Sequence, residues 1–307
     1  MIDFAIVGQP KSGTTALAQF LGQHPQICMS FPKEPVYFAT DLIQESDAFY
    51  GSRTHFEFRT EQDYAALFAH CRPRQLRGDA STPYLLSKVA ASNIRAVNPD
   101  VKIIIMLREP VSFMHSLHME YLNETIEDEP DFARALEKES LRKAGRCIPA
   151  RARCPSYLFY RERARYSSQL ARYYAEFPRE NLLVMLMEEF RQDNERHYRY
   201  ALDLLGVDPQ YVPSFGLVHA SRAPRSRWLN QVLNTPAFKR VLFKALGPRR
   251  YRAVRDRVAG LVLKEQPRPG LSPVLERTLR EEFSAEVDRV SDLVGRDLRS
   301  VWSYPDE

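Results

Sequence analysis

A chain of 307 residues, 44% of them hydrophobic and 27% charged, has enough apolar material for a large globular core. Its formal charge of +5 is mild: it suits anionic ligands and argues against a nucleic-acid partner. No apolar run reaches the roughly eighteen residues a membrane span needs, and Met1 leads into a strand pattern rather than a leader, so a cytoplasmic location is the expectation.

In chain order, residues 3–7 (DFAIV) read as a short buried strand and 14–22 as a helix ended by His24-Pro25. Between them lies GQPKSGTT. Gly8 and Gly13 have the spacing of a phosphate-binding P-loop, but Thr14 follows the second glycine and the lysine stands back at Lys11. Residues 61–70 look helical, 75–86 hold a short strand and a turn, and 87–97 look helical again. VKIIIMLREP, 101–110, is the clearest buried strand, a β-branched run closed by charge and proline. A helix is expected over 111–122. Residues 123–160 are polar and read as irregular, a mobile acceptor-side segment. Residues 161–177 read as a helix on which Tyr166, Tyr173 and Tyr174 pack. Then come a strand within 181–190, a helix over 193–205 and a loop over 208–236. A basic helix is expected at 237–264, and a long amphipathic helix over 271–295 opens at Ser272-Pro273.

Strands alternating with helices predict an α/β fold: one domain over 1–307, with a central, mostly parallel sheet flanked by helices. In such sheets ligands sit beyond the C-terminal strand ends. The loops at 8–14, 78–83 and 108–112 should therefore share one crevice.

The loop at 8–15 offers backbone N–H groups, the positive end of a helix, the Lys11 ammonium and the hydroxyls of Ser12, Thr14 and Thr15. It lacks the lysine that precedes the metal-binding Ser/Thr of nucleotide triphosphatases. Where a magnesium-binding aspartate would stand, the strand at 101–107 ends in Arg108. Glu188-Glu189 at the end of the later strand leave a metal possible, but the balance favours a nucleotide whose transferred group needs none. A sulfuryl group fits, because it carries less charge than a γ-phosphoryl. The donor, 3′-phosphoadenosine 5′-phosphosulfate (PAPS), carries a second phosphate, for which Arg108 and Ser116 are candidates.

At this point the sequence resembles a known family. Pro10-Lys11-Ser12-Gly13-Thr14-Thr15 is similar to the 5′-phosphosulfate loop of PAPS-dependent sulfotransferases, and Arg108-Glu109-Pro110 through Ser116 resembles their 3′-phosphate motif. Lys33-Glu34-Pro35-Val36-Tyr37-Phe38 resembles the K-E-x-x-[FY]-F segment of the glycan O-sulfotransferase branch. Gly78-Asp79-Ala80-Ser81-Thr82-Pro83-Tyr84 resembles its G-E-x-[ST]-P-x-Y turn. Gly295-Arg296-Asp297-Leu298 and Trp302 resemble the closing segment of bacterial members.

The resemblance implies a P-loop-like sulfotransferase fold and in-line sulfuryl transfer from PAPS to an acceptor hydroxyl or amine, leaving 3′-phosphoadenosine 5′-phosphate (PAP). Glu34 would be the general base, and Lys11 would stabilise the leaving nucleotide. The family's lysine in the turn is replaced by Ala80, so a second lysine could be Lys33, which is also a candidate acceptor contact with Asp79 and His115. Asp79 could instead cap the turn. His24, His115 and His118 compete with Glu34 as the base, although a polar helix face is the plainer reading of the last two. Arg222 and Arg225, in ASRAPRSRWLN with Arg227, resemble a late basic loop over the 3′-phosphate. The acceptor would be a saccharide, lipid or secondary metabolite; the oligomeric state is open. Two rivals are a P-loop nucleotide kinase and a nucleotide-binding regulatory protein without turnover. Cys28, Cys71, Cys147 and Cys154 form no C-x-x-C pair or metal-spaced cluster; they are expected as reduced thiols, with a Cys147–Cys154 bridge the minor alternative.

Overall fold

The structure, a computed structural model, describes residues 1–216, 222–224, 263–265 and 270–305, the two short internal stretches as backbone only. Five strands form one parallel sheet: β1 Phe4–Gly8, β2 Ile27–Met29, β3 Leu76–Ala80, β4 Lys102–Leu107 and β5 Leu182–Leu186, in the order β2-β3-β1-β4-β5. The helices are α1 Thr14–Leu21, α2 Thr40–Tyr50, α3 Glu61–Ala66, α4 Ala90–Val97, α5 Pro110–Asn123, α6 Phe132–Glu137, α7 Glu139–Lys143, α8 Tyr160–Ala164, α9 Tyr166–Glu176, α10 Met187–Gln192, α11 Asn194–Leu205, α12 Pro273–Val294 and α13 Leu298–Trp302.

The continuous apolar run of β4 has the burial it predicts, because helices cover both faces of the sheet. Ile103, Ile105 and Leu107 face one core with Val111, Leu117, Tyr166, Leu170 and Phe283. Ile104 and Met106 face the other with Leu17, Leu21, Phe190 and Tyr198. That alternation is the strand period of two. β1 pairs with β3 on one side and β4 on the other, both parallel, so the three loops that leave these strands emerge at one edge. The connection after β1 runs toward β2 and the one after β4 toward β5. The gap between β1 and β4 is therefore the switch point where α/β sheets open a crevice.

Several expectations need correction. Residues 123–160 are only partly irregular and are not detached: α6 and α7 run through them, and Ile126, Phe132, Leu136, Ala152, Tyr157 and Leu158 join the main core. The segment is fastened by a buried ion pair, Arg142 donating to both Glu127 oxygens at 2.6 and 2.8 Å, with Tyr160 OH adding a 2.8 Å bond. Residues 161–177 break into α8 and α9, and α10 takes over directly after β5. The strand Arg222–Pro224 (β6) pairs antiparallel with Leu263–Glu265 (β7) inside stretches expected as loop and helix. The rest of the basic 237–264 stretch lies outside the described residues.

Cys28 and Cys71 are joined as a disulfide across 43 residues, which corrects the expectation of reduced thiols. Cys147 and Cys154 are not joined to each other. His70 Nε2 approaches Cys28 Sγ at 3.4 Å. Among the described residues, no helix is long and apolar enough to cross a membrane.

Candidate functional site

The turn after β1 is held against the sheet by Gln9, whose amide donates to Met106 O at 2.6 Å and whose buried side chain reaches Gln169 and Arg163. The loop residues Pro10 to Thr15 follow. Ser12 and Thr14 are buried, Pro10, Gly13 and Thr15 partly so. Gly13 caps α1 with φ +89°, a left-handed conformation, and a Cβ there would meet Phe190 and Met106 at 3.1 and 3.2 Å, so the position suits only glycine.

Three non-glycine residues of this region also have positive φ: Lys11 at 63°, Glu34 at 60° and Val36 at 59°. Such conformations are unfavourable by about 1–3 kcal/mol each and concentrate where surrounding structure enforces them. Here the enforcement is visible. Arg108 Nη1 donates to Lys11 O at 3.4 Å. The amide of Val36 donates to Ser81 Oγ at 3.1 Å.

The loop after β2 brings Lys33 and Glu34 to the phosphate loop. Lys33 Nζ lies 3.1 Å from Thr15 Oγ1 and 3.1 Å from Glu34 Oε1. Thr82, on the turn after β3, donates to Glu34 Oε1 at 3.0 Å. The loops after β1, β2 and β3 thus meet here, and the loop after β4 reaches the first of them through Arg108 and Lys11 O. Lys11 Nζ is paired with Glu120 of α5 at 2.8 Å.

Arg108 stands at the end of β4, its carbonyl accepting from the buried Tyr166 at 3.0 Å. Glu109 caps α5 by accepting from the amides of Val111 and Ser112, and is braced by Tyr304 OH at 2.8 Å. Glu188 accepts from the Glu109 amide and from Trp302 Nε1, so the closing Trp302 segment anchors this corner. Glu189 pairs with Arg296 and His197. The two carboxylates considered for a metal are therefore engaged in holding the fold. Ser116, on the second turn of α5, is buried, and its Oγ has no hydrogen-bond partner among the described residues.

Asp79 is fully buried. Its carboxylate accepts from Tyr64 OH, Tyr84 OH and Ser81 Oγ at 2.7–2.8 Å. Burial pushes its pKa up to about 6, against the opposing effect of those three hydroxyls, and the nearby Glu34 charge adds to the rise. That place is behind the crevice wall, not at its surface. His115 packs its ring 5.4 Å from Phe132. His24 Nε2 and His118 Nε2 contact the carbonyls of Asp208 and Glu129 at 3.0 and 2.8 Å, and burial lowers the His118 pKa. Both rings are tied to the fold, away from the Lys33–Glu34 group. Of the late basic loop, Arg222 is described only as part of β6, and Arg225 lies outside the described residues.

Sequence reasoning missed Thr82 and Glu120 as partners of the two central charges. The signal for Glu120 is its spacing, one helical turn beyond Ser116 on the same face of α5.

A sequence model described as the sulfotransferase family matches residues 3–211. A human heparan sulfate glucosamine 3-O-sulfotransferase 6 is 31% identical over 124 residues, covering 39% of this chain and 30% of that protein. A bovine bifunctional heparan sulfate N-deacetylase/N-sulfotransferase 2 is 26% identical over 209 residues, 67% of this chain and 22% of its own length. The chain thus spans less than a third of these relatives. Among solved structures, a sulfotransferase from Alicyclobacillus acidocaldarius superposes with a TM-score of 0.71 at 26% identity, covering 99% of both chains. Matched by that family model over residues 3–211, the chain belongs to the sulfotransferase family.

Proposed function

We propose that the chain transfers a sulfuryl group from PAPS to an acceptor hydroxyl. The observation that carries this reading is the bonded group Thr15–Lys33–Glu34–Thr82, which sets a carboxylate beside a phosphate-binding turn. The turn at 10–15 would hold the 5′-phosphosulfate. Arg108 and Ser116 would take the 3′-phosphate, and the buried, unpartnered Ser116 hydroxyl fits an oxygen-rich ligand.

The acceptor oxygen attacks sulfur as its proton passes to a Glu34 oxygen. The bond from sulfur to the bridging oxygen breaks, and its electron pair leaves on the 5′-phosphate of PAP. Lys11 stabilises that charge. Lys33, bonded to both loop and base, supplies the second cation for which Ala80 leaves the turn without a lysine. Asp79 acts through Ser81 on the loop that carries Glu34 rather than on the acceptor.

The kinase reading is disfavoured by the residues at the strand ends. Arg108 stands where a magnesium carboxylate belongs, and Glu188 and Glu189 are committed to Trp302, Arg296 and the Glu109 amide. The glycan-like relatives favour a saccharide hydroxyl as acceptor.

Thermal unfolding with PAP, ATP and ATP–magnesium tests the nucleotide. PAP at a hundred times its Kd should stabilise by about 2.7 kcal/mol. Stabilisation by ATP–magnesium without any by PAP would overturn the reading. Glu34→Gln should lower the rate of sulfuryl transfer from PAPS to the acceptor by about 10²–10⁴-fold while keeping the PAP shift. A variant with an unchanged rate would remove Glu34 as the base.

A further inference from the structure

Lys11 carries the loop's ammonium, and that ammonium is already paired. Its ammonium lies 2.8 Å from Glu120 Oε2, with the two side chains 24% and 40% exposed. Its backbone has little freedom: φ is 63°, and its carbonyl is held by Arg108. The reach of the side chain is therefore decided by what its ammonium pairs with.

Glu120 sits on α5 one turn beyond Ser116, so the face of the helix that offers Ser116 also offers the partner of Lys11. One turn further on, Glu124 feels the charges of Glu120, Glu34 and Lys11, which places these four groups in one neighbourhood. Glu124 itself is paired with Arg153 at 3.2 Å, and Glu34 with Lys33 at 3.1 Å. Lys11 is thus the specific counter-charge of Glu120 in a neighbourhood whose other charges are matched. The Lys11 ammonium has three N–H donors, but the one directed at Glu120 Oε2 at 2.8 Å is not available to an anionic phosphosulfate, and the carboxylate shares the ammonium's charge.

We propose that Glu120 is a positioning residue for Lys11, one that competes with the nucleotide for its ammonium. Nucleotide binding draws Lys11 across and leaves the Glu120 carboxylate facing the crevice beside Glu34. This rests on the sulfotransferase reading, since it takes the 5′-phosphate of PAP as the competitor.

Titration calorimetry with PAP at low ionic strength tests it on four proteins: wild type, Glu120→Gln, Lys11→Ala and the double variant. Glu120→Gln should bind PAP two- to fivefold more tightly, the range expected for releasing a partly exposed ion pair. The same change in the Lys11→Ala background should give a smaller factor, because there is no ammonium left to release. A gain below twofold overturns the proposal. So does an equal gain in both backgrounds, which is what removal of any negative charge near an anion would produce. A merely structural role for Glu120 would weaken binding rather than tighten it, and unchanged unfolding midpoints confirm that the variants fold. Wild-type protein that fails to bind PAP would instead overturn the nucleotide reading, and this inference with it.

Discussion

Asp79 links the buried interior to the loop that carries Glu34. Tyr64, Tyr84 and Ser81 donate to it, and Ser81 in turn accepts the amide of Val36, two residues beyond Glu34. Its pKa is raised by burial from 3.8 to about 6. The folded state therefore holds the Asp79 proton more tightly than the unfolded chain does. Stability from this group is fully present below pH 4 and falls as pH rises through 6, by roughly 3 kcal/mol at 1.36 kcal/mol per pH unit. Urea unfolding of wild type and Asp79→Asn between pH 4 and 7 should show the wild type losing ground to the variant by about that amount. A difference that stays flat with pH would mean that Asp79 does not titrate in this range. At the other end of the crevice, Arg108→Ala should reduce the preference for PAP over adenosine 5′-phosphate by about tenfold or more, as expected for a lost charge-assisted contact. Retained preference in competition binding would move the 3′-phosphate site elsewhere.

At the level of elements, what could be read from the chain follows the length and periodicity of each segment. β4 is a continuous apolar run and α12 has a Ser-Pro start and a sustained amphipathic pattern; both stand within a residue or two of expectation. β2, with three residues, is too short to carry a pattern, and α10 hides in an apolar run shared with β5. The sequence singles out Pro10–Thr15 and Arg108 because phosphate chemistry restricts residue types at fixed spacing, and the structure adds that Arg108 touches that turn through Lys11 O. The Thr82–Glu34 and Glu120–Lys11 contacts join residues 48 and 109 positions apart, which no local pattern encodes. The 123–160 segment misled for a related reason: its polarity includes Glu127 and Arg142, which are buried against each other. Burial opposes ionisation of Glu127, but Arg142, the Glu129 amide and Tyr160 together hold its pKa below the ordinary value. Removing one partner strands the other, so Glu127→Ala should destabilise by about 3–5 kcal/mol in urea unfolding. The pair's contribution is present above pH 4.5 and lost as pH falls through the lowered pKa. A loss under about 1 kcal/mol would show that the segment is held mainly by its apolar contacts.

Across the whole molecule, the crevice is assembled from loops that are each fastened to distant chain. Trp302 reaches Glu188 and thereby the Glu109 amide, Tyr166 holds the Arg108 carbonyl, and Cys28–Cys71 ties the start of the Glu34 loop to the chain beyond α3. The disulfide joins an edge strand of only three residues to the turn that follows a helix of six, elements too small to be secured by their own ladders or turns. A cross-link over 43 residues removes unfolded-chain entropy worth about 4 kcal/mol at 25 °C in the loop-closure treatment. The Glu34 loop has separate anchors in Ser81, Thr82 and Thr15, by way of Lys33, so its geometry does not depend on the cross-link alone. Reduction by dithiothreitol, or paired Cys28→Ser and Cys71→Ser replacement, should therefore lower unfolding stability by about 2–4 kcal/mol while leaving the thermal shift produced by PAP unchanged. Equal stability with the thiols counted as free would show that the bridge contributes nothing to the fold. A stability loss accompanied by loss of the PAP response would show that the β2 edge positions the nucleotide loop as well as the base, and that Lys33 transmits the strain between them.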